Sequence, residues 1–186
     1  MLFTDFDTIE GALIGKPFER ELKIIMSPQT DAHIKNFTLI LSTLAPDGEI
    51  SYAVTNLNDD DPDNAWAEGK PGPGVGEWLE LRPEVAKPLR AILMKPGYQK
   101  SEELFRNNAR PKKVKVILNG EHSFTADVPD KKAECVIPVH SYAKPVSVIK
   151  LIFEEVWPGA KFEDLCVSGV RLEVKLDKKP NLPSVR

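Results

Sequence analysis

Short apolar or alternating runs, separated by turn-forming residues, recur along the chain. Several are short and alternate apolar with polar residues, a pattern that predicts β-strands. These runs are "ELKIIM" (21–26), "FTLILSTL" (37–44), "ISYAV" (50–54), "EWLELRP" (77–83), "PLRAILMKPGY" (88–98), "ECVIPVH" (134–140), "VSVIKLIFEEVWPG" (146–159) and "CVSGVRLEVKL" (166–176).

A β-hairpin is the clearest local prediction. In "KKVKVILNGEHSFTADVP" (112–129), Val114, Val116 and Leu118 alternate with other residues, and Asn119-Gly120 follows them as a turn. Asn-Gly between two such runs is typical of a two-residue hairpin loop. The polar stretch "SEELFRNNARP" (101–111) predicts a single helical turn or a loop. About nine strands with turns between them predict an all-β sandwich or barrel.

Composition narrows the class of protein. Net charge is −3, so the chain lacks the basic excess that bulk nucleic-acid binding needs, and we expect no nucleic-acid partner. The 16 prolines suit a loop-rich β protein. No apolar run approaches the ~20 residues of a membrane-spanning helix, so we expect no transmembrane segment. The start "MLFTDFDTIEG" lacks a basic signal-peptide region, which leaves a cytoplasmic protein or a secreted one whose leader was removed.

The side chains that could take part in catalysis are not spaced in a pattern typical of a catalytic site. The three histidines are far apart in sequence, and the strand glutamates predict solvated positions rather than an acid–base pair. Cys135 and Cys166 either form one disulfide or remain two buried thiols. We therefore expect no enzymatic activity, with a hydrolase of unrecognised site as a minor alternative.

From about Ser42 onward, the chain resembles a known family. "STLAPDGEISYAVTNLNDDDPDNAWAEG" followed by "GVGEWLEL" is similar to the opening of discoidin-like (F5/8 type C) galactose-binding-like domains. "PGYQKSEELFRNNARPKKVKVILNG" and "FEEVWPGAKFEDLCVSGVRLEV" resemble the bacterial NADase-type glycan-binding domain. The resemblance implies a jelly-roll β-sandwich of about eight to nine antiparallel strands over residues 42–176. Residues 1–41 are then an N-terminal extension with one or two leading strands, and residues 177–186 a tail or linker.

The stretch "NLNDDDPDNAW" (56–66) permits two interpretations. In calcium-bearing members of the family, the resemblance implies metal ligands at Asn56, Asp59 and Asp61. Asn64 stands where threonine is usual, and Gly169 stands where an acidic residue is usual, which lowers the ligand charge available to calcium. The stretch is either a weak structural Ca²⁺ site or an Asx-type turn that leads into the core. No cofactor is required in either case.

Two stretches, 66–78 and 98–110, supply the candidate ligand-binding residues. Polar loops on a rigid β scaffold are common binding sites, and aromatic, arginine and asparagine side chains suit sugar recognition. The candidates are Trp66, Glu68, Tyr98, Lys100, Arg106, Asn108 and Arg110. The structural alternative places the tryptophans in the core and makes Asn108 and Arg110 braces for their own loop.

The sequence therefore predicts a non-catalytic glycan or cell-surface binding module that uses the loops at one end of a β-sandwich. The alternative is a protein–protein interaction or translocation accessory domain of a larger toxin or enzyme. The partner is a glycan in the first case and a protein in the second, and the sequence leaves the oligomeric state open.

Overall fold

The computed structural model describes residues 52–59 and 61–175 in full, and the backbone of residues 20–23, 33–34 and 37–41. Eleven strands, one α-helix and one 3₁₀ helix lie in these ranges. In chain order they are β1 (Arg20–Lys23), β2 (His33–Ile34), β3 (Phe37–Leu41), the 3₁₀ helix (Val54–Leu57), β4 (Trp66–Ala67), β5 (Trp78–Pro83), β6 (Leu89–Pro96), α1 (Glu102–Asn107), β7 (Arg110–Leu118), β8 (His122–Asp127), β9 (Cys135–Pro138), β10 (Ile149–Trp157) and β11 (Cys166–Val174).

The strands form two sheets, and every pairing between them is antiparallel. The six-stranded sheet has the order β1-β3-β5-β10-β7-β8. The five-stranded sheet has the order β2-β11-β6-β9, with β4 also paired to β11. The predicted all-β sandwich is confirmed. Within the described residues, no helix is long and apolar enough to cross a bilayer.

Some local predictions differ from the structure. The predicted hairpin is present, because β7 and β8 pair directly across Asn119, whose φ of 51° suits the turn. The predicted strand "ISYAV" is wrong over its described part, since Val54 begins the 3₁₀ helix and residues 50–51 lie outside the described ranges. Within residues 1–41, predicted to hold one or two leading strands, the described ranges contain β1, β2 and β3, which pair within the two sheets.

One apolar core fills the space between the sheets. Side chains of a strand alternate between the two faces of its sheet, and one face of each sheet meets the core. In β5, Leu79 and Leu81 are fully buried, whereas Trp78 and Glu80 on the opposite face are only partly covered. Trp66 is 1% exposed and stacks on Phe153 of β10, with ring centres 6.3 Å apart. Burial of large side chains of this kind is the main stabilising term of the fold, at roughly 2–3 kcal/mol for each aromatic or aliphatic residue.

Strand register decides which loops meet. Arg110 pairs with Trp157, and Lys95 pairs with Gly169, so the starts of β7 and β11 lie beside the ends of β10 and β6. The loops that leave these points share one end of the sandwich, here called the loop end. It comprises residues 52–65, 68–77, 97–109, 128–134 and 158–165. Both stretches that the sequence singled out therefore lie at the loop end.

Candidate binding site at the loop end

The aspartate-rich turn is stabilised by hydrogen bonds among its own side chains and backbone N–H groups. Asp59 Oδ1 accepts a hydrogen bond from the backbone N–H of Asp61 (2.9 Å), and Asp61 Oδ1 accepts one from the N–H of Asp63 (2.9 Å). The Asn64 amide donates to the second oxygens of Asp59 (3.0 Å) and Asp61 (3.2 Å). These contacts are Asx-type turns, in which short polar side chains substitute for backbone partners. Asp60 lies outside the described residues.

The same geometry bears on the calcium interpretation. Calcium requires six to eight converging oxygen ligands. Asn64 directs its amide nitrogen, not its oxygen, toward the two carboxylates, and the Asn56 amide donates to the Ala65 carbonyl (2.9 Å). A Cβ atom at Gly169 would lie 3.7 Å from the Leu57 carbonyl oxygen, so a side chain at this position would start close to that oxygen. Glycine has no side chain and therefore supplies no side-chain ligand. In the described part of the chain, no three His, Cys, Asp or Glu residues are grouped to hold a metal. In this geometry the side-chain amides of Asn56 and Asn64 act as donors, and the calcium site stays a prediction.

Two aromatic candidates lie in the interior. Trp66 is fully buried against Phe153, so neither face of its ring is open to a sugar. Tyr98 is 7% exposed, and its hydroxyl donates to the Asp63 carbonyl (3.1 Å), which ties the start of the 97–109 loop to the aspartate-rich turn. Burial against the Tyr52 and Cys166 side chains raises the pKa of Tyr98 and keeps its hydroxyl a neutral donor. Trp66 and Tyr98 are therefore buried beneath the loop end and do not form its surface.

Asn108 and Arg110 brace the loops. The Asn108 amide donates to the Leu104 carbonyl at the end of α1 (2.9 Å). The Arg110 guanidinium forms an ion pair with Asp130 (2.5 Å), donates to the Pro158 carbonyl (3.3 Å), and lies 4.8 Å from the Phe105 ring centre. Both residues are about nine-tenths buried. Arg110 therefore joins three loops of the loop end to one another.

Lys100 and Arg106 are the exposed members of the predicted set. Ser101 caps α1 by accepting a hydrogen bond from the Leu104 N–H (3.0 Å), so Lys100 immediately precedes the helix and Arg106 lies in its last turn. Within the described ranges, neither cation takes part in an ion pair. Both are available to an approaching ligand.

Phe162 is a candidate that the sequence analysis missed. It is 40% exposed, and its backbone N–H donates to the Asn107 carbonyl at the end of α1 (2.8 Å). The N–H of Ala160 donates to the Arg106 carbonyl (2.9 Å), so the 158–164 loop runs along the end of the helix. The Lys161 ammonium lies 5.0 Å from the Phe162 ring centre. The Pro-Gly pair before "AKFED" marked a loop, but only contacts distant in sequence show that this loop is bonded to the end of α1.

The other two tryptophans lie on the sheets. The Trp157 indole N–H donates to the Val128 carbonyl (3.1 Å), and the Lys112 ammonium lies 5.1 Å from its ring centre. Trp78 faces outward from β5 beneath the Lys150 ammonium, which is 3.9 Å from the ring centre. Both rings are half-buried and already stacked with a cation, which is a structural use of the aromatic face.

Glu68 has an unusual environment. It follows β4, it is fully buried, and its Oε2 accepts a hydrogen bond from the Lys70 N–H (2.7 Å). Its Oε1 has no hydrogen-bond partner among the described residues. Burial, with smaller contributions from the carboxylates of Glu77 and Asp164, raises the pKa of Glu68 to about 7. Glu68 has no solvent-exposed surface through which a ligand could reach it in this conformation.

The two cysteines are separate thiols. Cys135 begins β9 and Cys166 begins β11, and both are buried and free. Burial raises the pKa of the Cys135 thiol to about 11, and the pKa of Cys166 is raised further by burial beside Asp164. Neither is a thiolate at neutral pH, so neither has the reactivity of a nucleophilic cysteine.

Comparison with known sequences identifies one family. The profile described as "NAD glycohydrolase translocation F5/8 type C domain" matches residues 32–173. No curated protein sequence matches the chain. The match covers both stretches that meet at the loop end.

Comparison with solved structures supports the same fold. A family 32 carbohydrate-binding module (CBM) of NanJ from Clostridium perfringens, in complex with galactose, has a TM-score of 0.50 and 13% identity, covering 72% of this chain and 92% of that one. The CBM32-1 and CBM32-2 domains of ZmpB from Clostridium perfringens, in complex with GalNAc, have a TM-score of 0.55 and 12% identity, covering 91% of this chain and 42% of that one. At these identities the likeness establishes a shared fold.

A third similar structure is a much larger protein. The arabinofuranosyltransferase AftD from Mycobacteria has a TM-score of 0.56 and 11% identity, over 85% of this chain. The present chain spans only 11% of the length of AftD. The galactose-binding-like sandwich therefore also occurs as a small part of a large enzyme.

Proposed function

The chain belongs to the NAD glycohydrolase translocation F5/8 type C domain family, and on that premise we propose that it is a non-catalytic module that binds glycans at the loop end. The sandwich is a rigid scaffold, and its loops hold the exposed groups. Structures of the same fold include a NanJ module in complex with galactose and ZmpB domains in complex with GalNAc. The proposed contact set keeps Lys100 and Arg106 from the predicted residues and adds Lys161 and Phe162.

The observation that carries this proposal is the exposed Phe162 side chain, whose loop is hydrogen-bonded to the end of α1, the helix that carries the exposed Arg106. Sugar rings pack their C–H faces on aromatic rings, while their hydroxyl groups need directed donors. The Lys161 ammonium lies 5.0 Å from the ring centre, and backbone hydrogen bonds join the 158–164 loop to the end of α1, where Arg106 supplies a further donor. We assign Phe162, Arg106, Lys161 and Lys100 to the contact surface. Trp66, Tyr98, Asn108 and Arg110 support this surface from within.

Glycan binding is tested with an array of immobilised sugars, followed by NMR titration with galactose and GalNAc. We expect millimolar to micromolar binding that falls by about fivefold to thirtyfold in Phe162→Ala, since loss of one stacking platform costs on the order of 1–2 kcal/mol. Val85→Ala is the matched control, because Val85 is an exposed apolar residue (57%) in the loop after β5, at the opposite end of the sandwich. Equal binding by the two variants would remove Phe162 from the site, and no binding across the array would reject the glycan proposal.

The family description favours a second candidate function. Its members include a translocation domain of an NAD glycohydrolase, which suits an accessory domain that contacts a protein partner. Cross-linking at Lys100 or Lys161, followed by identification of the captured proteins, would test this candidate. A cross-linked protein whose capture fails in Arg106→Glu, together with an empty glycan array, would favour the protein-binding function.

A further inference from the structure

Residues 69–76, "GKPGPGVG", form a short flap that closes over Glu68. Two contacts made by Lys70 hold its base: the backbone N–H donates to Glu68 Oε2 (2.7 Å), and the ammonium pairs with Glu77 (2.8 Å). At its far end, the Gly76 N–H donates to the Phe153 carbonyl (2.8 Å). The flap is thus fastened at both ends by a few polar contacts.

The middle of the flap packs directly on Glu68. A Cβ atom at Gly74 would lie 3.3 Å from Glu68 Cγ and 2.6 Å from Leu165 Cβ, and the φ of Gly74 is +73°. Glycine at this position allows the backbone to approach closely enough to exclude water from the carboxyl group. Val75, the next residue, is 56% exposed and marks the outer surface of the flap.

The groups that face Glu68 favour its neutral form. Glu77 at the end of the flap and Asp164 before β11 are both acidic, and the Cys166 thiol is buried and neutral. Lys70 opposes them through its backbone N–H, which donates to Oε2, and through its ammonium, which is paired with Glu77, but burial outweighs both. With Oε1 lacking a hydrogen-bond partner among the described residues, an ionised Glu68 would be a poorly compensated buried charge.

We propose that Glu68 is a proton-dependent latch: the flap stays closed while Glu68 is protonated and opens to hydrate the carboxylate when Glu68 loses its proton. Opening exposes Leu165 and the carboxylates of Glu68 and Asp164. The flap forms one wall of the loop end, so its state alters the surface that this end presents. The latch does not depend on the glycan proposal, because it requires no ligand.

The size of the effect follows from linkage. A carboxyl group whose pKa is about 7 in the closed state and 4.5 when hydrated makes opening more favourable by about tenfold per pH unit between these values. The full change is roughly 300-fold, and the opening constant becomes independent of pH above about pH 7.

Amide hydrogen exchange, measured by NMR on the full chain from pH 5 to pH 8 and corrected for intrinsic rates, tests the latch. The reporters are the N–H groups of Lys70, Gly76 and Glu77, whose hydrogen bonds the opening would break. We expect their protection factors to fall by at least thirtyfold between pH 5 and pH 7. The Val146 N–H, bonded to the Lys87 carbonyl at the opposite end, is the internal reference and should show no such fall.

Two variants make the result decisive. Glu68→Gln mimics the protonated carboxyl and should hold the flap closed, with protection independent of pH. Glu163→Gln removes an exposed carboxylate of the neighbouring loop and should behave like the parent chain. Parent protection factors that stay within about twofold across the range, or the same pH dependence in Glu68→Gln, would overturn the latch.

Discussion

Arg110 and Asp130 form a bidentate ion pair, in which the arginine Nε and Nη2 donate to the two carboxylate oxygens at 2.5 and 2.7 Å. The pair joins the start of β7 to the loop between β8 and β9. Arg110 also donates to the Pro158 carbonyl, which brings in the loop that carries Phe162. A single buried guanidinium therefore sets the relative positions of three segments of the loop end.

Removing this guanidinium should loosen the loop end. Arg110→Ala leaves the Pro158 carbonyl and Asp130 without their donor, and we expect a loss of about 2–3 kcal/mol in the free energy of unfolding. Arg106→Ala, on the exposed helix surface, should change it by no more than about 0.5 kcal/mol. Urea unfolding followed by tryptophan fluorescence measures both. A similar small change in the two variants would show that the Arg110 contacts contribute little.

Gly159 permits the contact between the 158–164 loop and α1. A Cβ atom there would lie 2.1 Å from the Phe162 carbonyl oxygen and 2.4 Å from the Asn107 carbonyl oxygen, and backbone atoms cannot move away as a flexible side chain does. Gly159→Ala should cost at least about 2 kcal/mol and displace Phe162. Gly169→Ala is the control, because its nearest contact is the mobile Lys95 side chain at 3.4 Å. Thermal melting and the Phe162 ring signals in NMR report the two effects.

Calcium should have little effect on stability. The aspartate-rich turn satisfies its carboxylates with backbone and Asn64 donors, so we expect millimolar calcium to raise the melting temperature by less than about 1 °C. Thermal melting in 5 mM EDTA and in about 5 mM calcium makes the comparison. A rise of several degrees that disappears in Asp59→Asn would instead establish a calcium site at this turn.

Glu68 should make the stability of the whole domain depend on pH. Its pKa is higher in the folded chain, about 7, than the ordinary 4.5, so between these values the folded state holds a proton that the unfolded state has released. Stability contributed by this group is therefore complete below pH 4.5 and decreases as the pH rises to 7. The total loss is at most roughly 3 kcal/mol, and opening of the flap reduces it.

The test measures the free energy of unfolding of the parent chain and of Glu68→Gln in urea at pH 5, 6, 7 and 8, and compares the two at each pH. We expect Glu68→Gln to gain stability relative to the parent chain as the pH rises and to level off above pH 7. Glu155 does not interfere, because Lys112 and Lys113 lower its pKa to about 2, and its effect is confined to the acid range below 4.5. A difference that does not change with pH would show that Glu68 titrates normally.

Much of the architecture follows from local sequence. The alternation of Val114, Val116 and Leu118 with outward-facing residues, followed by Asn119-Gly120, specifies a hairpin because side chains of a strand alternate between its faces and the turn needs positive φ. The segment "ISYAV" shows the limit of this reasoning. Its apolar residues suit a strand or a buried 3₁₀ turn equally, and Val54 packs into the core within such a turn.

The candidate site was only partly predictable. The sequence placed the candidate residues on loops, since polar and glycine-rich segments between strands must lie at the ends of a sandwich. It did not distinguish a buried brace such as Arg110 from an exposed cation such as Arg106, because both are arginines in one polar stretch. Exposure depends on partners distant in sequence, here Asp130 and Pro158.

By itself, the sequence predicted most of the β-strands and the sandwich, because these depend on side-chain periodicity and on turn residues a few positions apart. The tertiary structure alone decided that the loop carrying Phe162 is bonded to the end of α1 and that Glu68 is buried beneath Gly74. Those relationships arise from the register of β7, β10 and β11, which brings loops far apart in sequence to one end. Burial, charge compensation and ligand access are properties of that assembled end.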